Sequence, residues 1–559
     1  MKPNSESFPL IKHQTHKISI LTNHFLNISE TIDHLKQTQA VFLKHLTSLP
    51  HYHYFAARLL RRILQCPGDN LRYAHQVFDE IPSCENGFLW TSLIRGFVLH
   101  DHFRHSVSLY SRMHQNGVLP SGFTFSSVLN ACGRIPAVFE GKQVHSRVVQ
   151  SGLCENKIVE TAILDMYAKC GCVFDAREVF DGMCDRDVVA WTAMICGYTK
   201  VGMMDDAMWL FENMGRRNSF TWTTMVAGYA SNGNMKAAKG LYDMMKEKDM
   251  VTWVAMIAGY GKCGYVREAR RVFDEIPMPD ASSFAAMVAC YAQNGYANEA
   301  IEMYNKLREV KVKITDVAMV GAISACAQLR DVQMSKTLTD HLEEICCDRT
   351  LIVSNALIHM HSKCGNIHLA LREFNVVSKR DVITYSTLII ALAEHGKSQE
   401  AVGLFLKMQK EGVKPNQITF VGVLNACSSA GLIEEGCLYF KLMTEEFGIK
   451  PLPQHYSCMV DMLGRAGQLE RAYALIKENA SNVDAVAWSS LLGACRVHGN
   501  VELGEIVARC LFEIDPKDSG NYVLLANTYA SKNKWEDAEK VKKMMSEKGM
   551  RKSPGCSWI

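Results

Sequence analysis

Few of the 559 residues stand in patterns that do chemistry by themselves. His341-Leu342-Glu343 is the one H-x-E in the chain. That arrangement can hold zinc and place a proton-shuttling carboxylate only if a C-x-x-C completes the metal site. None is present: the nearest approaches are Cys170-Gly171-Cys172 and the adjacent Cys346-Cys347, so zinc-ribbon and thioredoxin-like chemistry lack their ligand spacing. Lys169-Cys170, Lys262-Cys263 and Lys363-Cys364 repeat a cation beside a thiol. They lie too far apart to share a metal and read as helix-end packing with a favourable charge near a helix C-terminus. Trp191, Trp222 and Trp253 could stack on bases, yet they fall on an apolar stripe and read as core. Residues 532–552 hold eight basic and four acidic residues, which suits a phosphate-contacting face and a solvated one equally. No phosphate-cradling lysine loop, dinucleotide fingerprint or nucleophile elbow appears. The chain reads as a non-enzyme with no cofactor and no metal.

The elements that position these residues repeat. Gly171, Gly202, Gly233, Gly264 and Gly295 are each 31 residues apart, and Trp191, Trp222, Trp253 and Phe284 share that interval, as do Ala176, Ala207, Ala238, Ala269 and Ala300. The phase resumes at Gly365, Gly396, Gly431 and Gly467, with longer units interspersed. Such self-similarity marks a stacked repeat rather than three or four globular domains. Trp191, Met194, Ile195 and Tyr198 stand at i, i+3, i+4 and i+7, as do Ala207, Leu210, Phe211 and Met214, so each unit predicts two amphipathic helices. The glycine between them supplies the left-handed residue that closes the first helix. One pair cannot bury its apolar face alone, so neighbours must stack into an all-α solenoid with a long concave surface.

Composition narrows the rest. Lys plus Arg total 61 against 58 acids, a net charge of +3, so bulk electrostatics name no partner and nonspecific RNA affinity is expected to be low. No apolar run approaches the roughly 18 residues of a membrane-spanning helix. Most of the 20 cysteines read as buried reduced thiols. Residues 1–20 are compatible with an organellar transit peptide, with Lys2, Lys12 and Lys17 against Glu6.

Arg186-Asp187-Val188-Val189-Ala190-Trp191, Asp165-Met166-Tyr167-Ala168-Lys169-Cys170-Gly171 and Val413-Lys414-Pro415-Asn416, repeated in phase, resemble the pentatricopeptide repeat proteins of plant organelles. Asn130-Ala131-Cys132, Ser324-Ala325-Cys326 and Asn425-Ala426-Cys427 match the longer units of the subclass with mixed repeat lengths, the PLS subclass. Trp488 to Cys495 and Pro554 to Trp558 look like its E-type extension. The resemblance implies a right-handed α-solenoid superhelix of stacked antiparallel helix pairs. On that reading residues 21–86 are degenerate leading repeats, 87–484 the array of 31–36-residue units, 485–552 the E-type motifs and 553–559 a short tail.

The resemblance further implies binding of single-stranded RNA, one base per repeat. In this family the fifth and last residues of a repeat read the base edge and an apolar second residue sandwiches the base. Carried onto this chain, the readers are Thr161 with Asp187 (G), Thr192 with Asn218 (A), Thr223 with Asp249 (G), Asn355 with Asp381 (U), Ser386 with Asn416 (A) and Ser457 with Asp484 (G). The sandwiching residues are Ile158, Val189, Phe220, Val251, Ile352, Ile383 and Ile418. Units carrying Val254, Ala285 with Thr315, Val320 with Thr350, and Val421 with Leu452 depart from the pattern. The implied target, 5′ to 3′, is G-A-G, three unassigned bases, U-A, one unassigned base and G. E-type relatives often continue into a DYW-type cytidine deaminase, and this chain stops at Ile559 before one. The expected function is site recognition for C-to-U editing of organellar transcripts, with a deaminase or other editing factor recruited in trans through residues 485–559, in mitochondria or, as the alternative, chloroplasts. RNA stabilisation, splicing or translation without editing is the second reading. A protein-binding solenoid of the tetratricopeptide kind is the third, disfavoured by the polar fifth and last positions.

Overall fold

A computed structural model describes residues 35–36, 52–65, 70–81, 86–310, 313–345 and 349–550. The transit-peptide segment, the tail 553–559 and the Cys346-Cys347 pair lie outside the described residues. Among the described residues every regular element is a helix and none is a strand. The chain divides into two compact units, Met1–Ile276 and Pro277–Ile559.

Within each unit the element is the antiparallel helix pair, and residues 188–218 show how it forms. Asp187 opens the first helix, Val188–Val201, by accepting the Ala190 N–H at 2.9 Å, which satisfies an orphan donor of the first turn. Gly202 ends that helix at φ 82°, a conformation costing any other L-residue about 1 kcal/mol or more. The second helix, Met204–Asn213, lays Ala207, Leu210 and Phe211 against Met194, Ile195 and Tyr198, all buried. Arg217 then closes it: Nε donates to Phe211 O at 2.7 Å and Nη2 to Glu212 O at 2.8 Å, with the guanidinium 4.8 Å from the Phe211 ring centroid. The next residue, Asn218, caps the following helix. Adjacent residues thus close one helix and open the next. Arg186-Asp187 and Arg380-Asp381 do the same.

Ala176, Ala207, Ala238, Ala269 and Ala300 are all fully buried, and Gly171, Gly202, Gly233, Gly264 and Gly295 all have φ between 79° and 82°. The same slot in four other units has a positive φ without glycine, at Asp101 (φ 61°), Pro136 (φ 22°), Arg330 (φ 55°) and Asn533 (φ 60°). Within each compact unit first helices pack on the first helices of neighbouring pairs, and second helices on the first helices of their own and the following pair. In the Met1–Ile276 unit the close approach depends on small residues: a Cβ on Gly197, Gly228 or Gly259 would lie 2.9 Å from Ala168 Cβ, 2.5 Å from Thr199 Cγ2 or 2.6 Å from Ala230 Cβ.

The cysteine expectation needs correction. All fifteen described cysteines are free, but only six are buried, seven are intermediate, and Cys184 and Cys196 are exposed. Four stand at helix ends: Cys170, Cys263 and Cys364 are C-caps and Cys172 is an N-cap.

Candidate nucleic-acid interface

The second residue of each first helix sits beside the cap, one turn before the apolar stripe enters the core, so its side chain is left outside. Ile158, Val189, Phe220, Val251, Ile352, Ile383 and Ile418 are all between 55% and 67% exposed. Apolar side chains at regular spacing on one edge of an otherwise well-buried array are available to cover planar rings. Phe88, Phe123, Val317 and Val486 hold the same place and are equally exposed. These four were missed by the sequence reading, although their phase was legible in it. Ser282, Gln454 and Gly520 interrupt the row.

The last residue of each unit turns out to be the N-cap of the next first helix. Asp187, Asn218, Asp249, Asp381, Asn416 and Asp484 accept the backbone N–H three residues on at 2.8 to 3.2 Å. The cap fixes the rotamer and decides which atom remains for a ligand. At Asn218 the Oδ1 meets the Thr221 N–H at 2.9 Å and the Thr221 hydroxyl at 2.7 Å. A backbone N–H only donates, so the atom it meets is the oxygen, and the Nδ2 donor is turned away from the helix. Asn416 is held identically by Thr419. At Asp249 the same inner oxygen is engaged by Thr252, and the outer one is an acceptor. Asp and Asn therefore present opposite hydrogen-bonding groups from one geometry.

The fifth residues converge on these caps. Thr223 Oγ1 lies 3.3 Å from Asp249 Oδ2, Asn355 Nδ2 is 3.4 Å from Asp381 Oδ1, and Ser457 Oγ donates to Asp484 Oδ1 at 2.9 Å. Thr192 and Ser386 reach their partners through an intermediary, contacting the hydroxyls of Thr221 (3.0 Å) and Thr419 (2.7 Å), which in turn hold Asn218 and Asn416. These third-position threonines escaped the sequence reading. Thr161 and Asp187 lack such a bridge because Ala190 stands at the third position. Thr161 instead donates to Lys157 O at 2.8 Å, and Lys157 Nζ is 3.8 Å from Asp187 Oδ2. At Asp381 burial raises the carboxyl pKa, but hydrogen bonds from the Thr384 N–H and hydroxyl and from Asn355 outweigh it and hold the group below its usual value.

Where the pattern departs, the polar fifth residues vanish and the caps become uneven. Asp280 accepts the Ser283 N–H at 2.8 Å, and Thr315 accepts that of Ala318 at 3.4 Å, while Thr350 makes no cap bond. Their partners Val254, Ala285 and Val320 offer no polar atom. Ahead of Leu452, His455 does the capping: Nδ1 accepts the Leu452 N–H at 2.9 Å, so Nε2 carries the proton and donates to Gln417 O at 2.9 Å.

Several of the other chemically suggestive residues have structural partners. Trp191 and Trp222 meet Phe180 and Phe211 edge-on at 5.0 and 4.8 Å. His341 Nδ1 is 2.8 Å from the Tyr304 hydroxyl, and Glu343 pairs with Arg372 at 3.1 Å. Lys262 Nζ donates to Ser231 O at 2.7 Å across neighbouring first helices.

Known family models match along the chain. The PPR repeat matches residues 88–118, 161–188, 189–219, 220–250, 251–278, 282–312, 418–446 and 455–478, a PPR repeat family matches 380–429, and the E motif matches 498–559. Pentatricopeptide repeat-containing protein At5g44230 of Arabidopsis thaliana is 41% identical over 562 residues, covering 100% of this chain and 75% of its own. The mitochondrial At2g03880 is 36% identical over 88% of this chain, and the chloroplastic CRR2 34% over 87%, both from the same plant. The chain spans only 62% and 61% of the length of those two. Among solved structures, maize PPR10 in complex with an 18-nt psaJ RNA element aligns over 96% of this chain and 94% of its own at 15% identity and a TM-score of 0.49.

Proposed function

The chain belongs to the pentatricopeptide repeat family, with an E motif, and from that premise we propose that it is a sequence-specific single-stranded RNA-binding protein that selects sites for C-to-U editing in organellar transcripts. One observation carries the reading: exposed apolar side chains stand in phase with polar pairs whose outer atoms are fixed by helix caps. A base slid between successive second residues, such as Val189 and Phe220, meets the Thr192 and Asn218 pair at its edge. The near-neutral charge of +3 leaves the affinity to stacking and edge contacts more than to phosphates. Asp187, Asp249 and Asp484 accept an imino proton, which favours G with Thr or Ser and, at Asp381 with Asn355, U. Asn218 and Asn416 donate, which favours A. Residues 485–559 would dock the deaminase in trans. Relatives carry mitochondrial and chloroplastic names, which supports an organelle, and mitochondria are our choice.

Transcript sequencing in a plant lacking the protein tests this. Loss of editing at a few cytidines, preceded by bases matching G-A-G and U-A, is the expected result, restored by the whole chain and not by one lacking residues 485–559. Intact editing with a shifted transcript end or a retained intron would replace editing with stabilisation or splicing.

A further inference from the structure

Two cysteines from neighbouring first helices meet at one carbonyl. Cys326 stands in the last turn of the helix Asp316–Leu329 and is fully buried, while Cys364 is the C-cap of the helix Leu351–Lys363 and is 8% exposed. Cys326 Sγ lies 3.3 Å from Asp331 O, and Cys364 Sγ lies 3.6 Å from the same oxygen. The two thiols are also within hydrogen-bonding reach of each other. The hydrogen bond from Cys326, followed by one from Ser335, lowers the pKa of Cys364 against the opposing effects of burial and Asp331, whereas Cys326 holds its proton. Cys132 and Cys170 occupy the same two slots, also 38 residues apart, yet meet differently. Cys170 Sγ points at Cys132 O, 3.8 Å away, and at Met166 Sδ, 4.0 Å away. Burial pushes Cys132 up to about 12 and raises Cys170 as well. Cys427 holds the first slot once more, with Arg465 at the second.

We propose that Cys326 and Cys364, and not Cys132 and Cys170, are a peroxide-sensitive dithiol that closes a reversible disulfide between neighbouring repeats. The Cys364 thiolate attacks one oxygen of hydrogen peroxide and the O–O bond breaks. The departing hydroxide takes up the proton that Cys364 released and leaves as water, so Cys364 becomes a sulfenic acid. The Cys326 sulfur then attacks the Cys364 sulfur, its proton departs with the sulfenic hydroxyl as a second water, and the S–S bond forms. The two thiols lose two electrons and the peroxide gains them. An oxidant of nearly the size of water suits a thiol this buried. The bridge adds a covalent tie at a joint where Thr350 makes no cap bond.

Exposing the whole reduced chain to hydrogen peroxide, then alkylating it and digesting it with trypsin without reduction, tests this by mass spectrometry. Residues 314–330 and 364–372 are tryptic peptides with one cysteine each. The expected result is that these two are joined with a loss of about 2 Da and separated again by dithiothreitol, while Cys132 and Cys170 stay unlinked. Cys326→Ser should leave Cys364 as a sulfenic acid that dimedone captures, and Cys364→Ser should abolish the cross-link without dimedone labelling at Cys326. Melting curves taken before treatment show whether each variant is folded, and the wild-type digest decides the matter where one is not. Oxidation of the exposed Cys184 and Cys196 with the two peptides still separate would overturn the dithiol. Linkage of Cys132 to Cys170 at an equal rate would overturn it too, because the shared oxygen and the lowered Cys364 would then make no difference.

Discussion

Residues 188–249 and 281–350 are each built from two helix pairs, and although Val317 keeps one exposed wall residue in the second, they differ in most of what a base would touch. The first stretch has exposed Val189 and Phe220, hydroxyls at Thr192 and Thr223, and caps at 2.8 to 2.9 Å from Asn218 and Asp249. The second begins with Ser282 in the wall position, carries Ala285 and Val320 as fifth residues, caps weakly through Thr315 and closes a first helix with Arg330 in the left-handed region. Between its second helices an open groove of about 730 Å³ is lined by Asn305, Arg308, Lys313, His341 and Ile345. Stacking and reading are therefore separately encoded. The core positions, with Ala300 fully buried, keep the unit in register whether or not its edge is equipped to discriminate.

The contrast can be broken most forcefully at the wall. Phe220→Ala is expected to weaken RNA binding by about 1–3 kcal/mol, roughly 5- to 150-fold, the usual worth of a base-stacking aromatic, whereas Ser282→Ala leaves titrations unchanged. Equal losses at both would show that the second stretch reads bases after all. Next in size is the cap: Asp249→Ala should cost about 1–2 kcal/mol in denaturant melts because it frees Thr223 and Thr252 as well as a helix end, against about 0.5 for Thr315→Ala. Arg330→Gly should raise stability by about 1 kcal/mol by relieving the left-handed residue, while Gly202→Arg lowers it by a similar amount.

The smallest effect is acid sensitivity. His341 has its pKa lowered by burial and by Arg308, against a raising influence of Glu344. A histidine whose folded pKa lies below its unfolded value near 6.5 contributes fully above that pH and loses its contribution as pH falls through it. Residues 188–280 contain no histidine. Protection against hydrogen exchange, taken relative to the intrinsic rate at each pH, should therefore fall between pH 7.5 and 5.5 in 332–345 more than in 188–280, and a uniform fall would remove His341 as the cause.

Much of this was legible because it is periodic. The glycine at 31-residue spacing announced a left-handed turn, and Met194, Ile195 and Tyr198 announced a buried stripe, since both follow from single-residue preferences. The caps were hidden behind their recognition role: Asp187 and Asn218 were assigned from the resemblance as base readers, and nothing in one sequence states that the same oxygen is also tied to a backbone N–H. Thr221 and Thr419 went unnoticed for a related reason. Their bonds span 29 and 33 residues, so they exist only once neighbouring pairs are stacked. Phe88, Phe123 and Val486 were a failure to extend the phase, not a lack of signal.

The paired Arg186-Asp187, Arg217-Asn218 and Arg380-Asp381 junctions bear on how such a chain can change over generations. Because adjacent residues end one helix and begin the next, losing or gaining a single residue there would uncouple both ends at once. Duplicating or excising everything from one junction to the next leaves every joint intact. On the proposed function, recombination between repeats would lengthen or shorten the recognised sequence by whole letters, while Asp-to-Asn exchanges at the junction would respell a letter without loosening the seam.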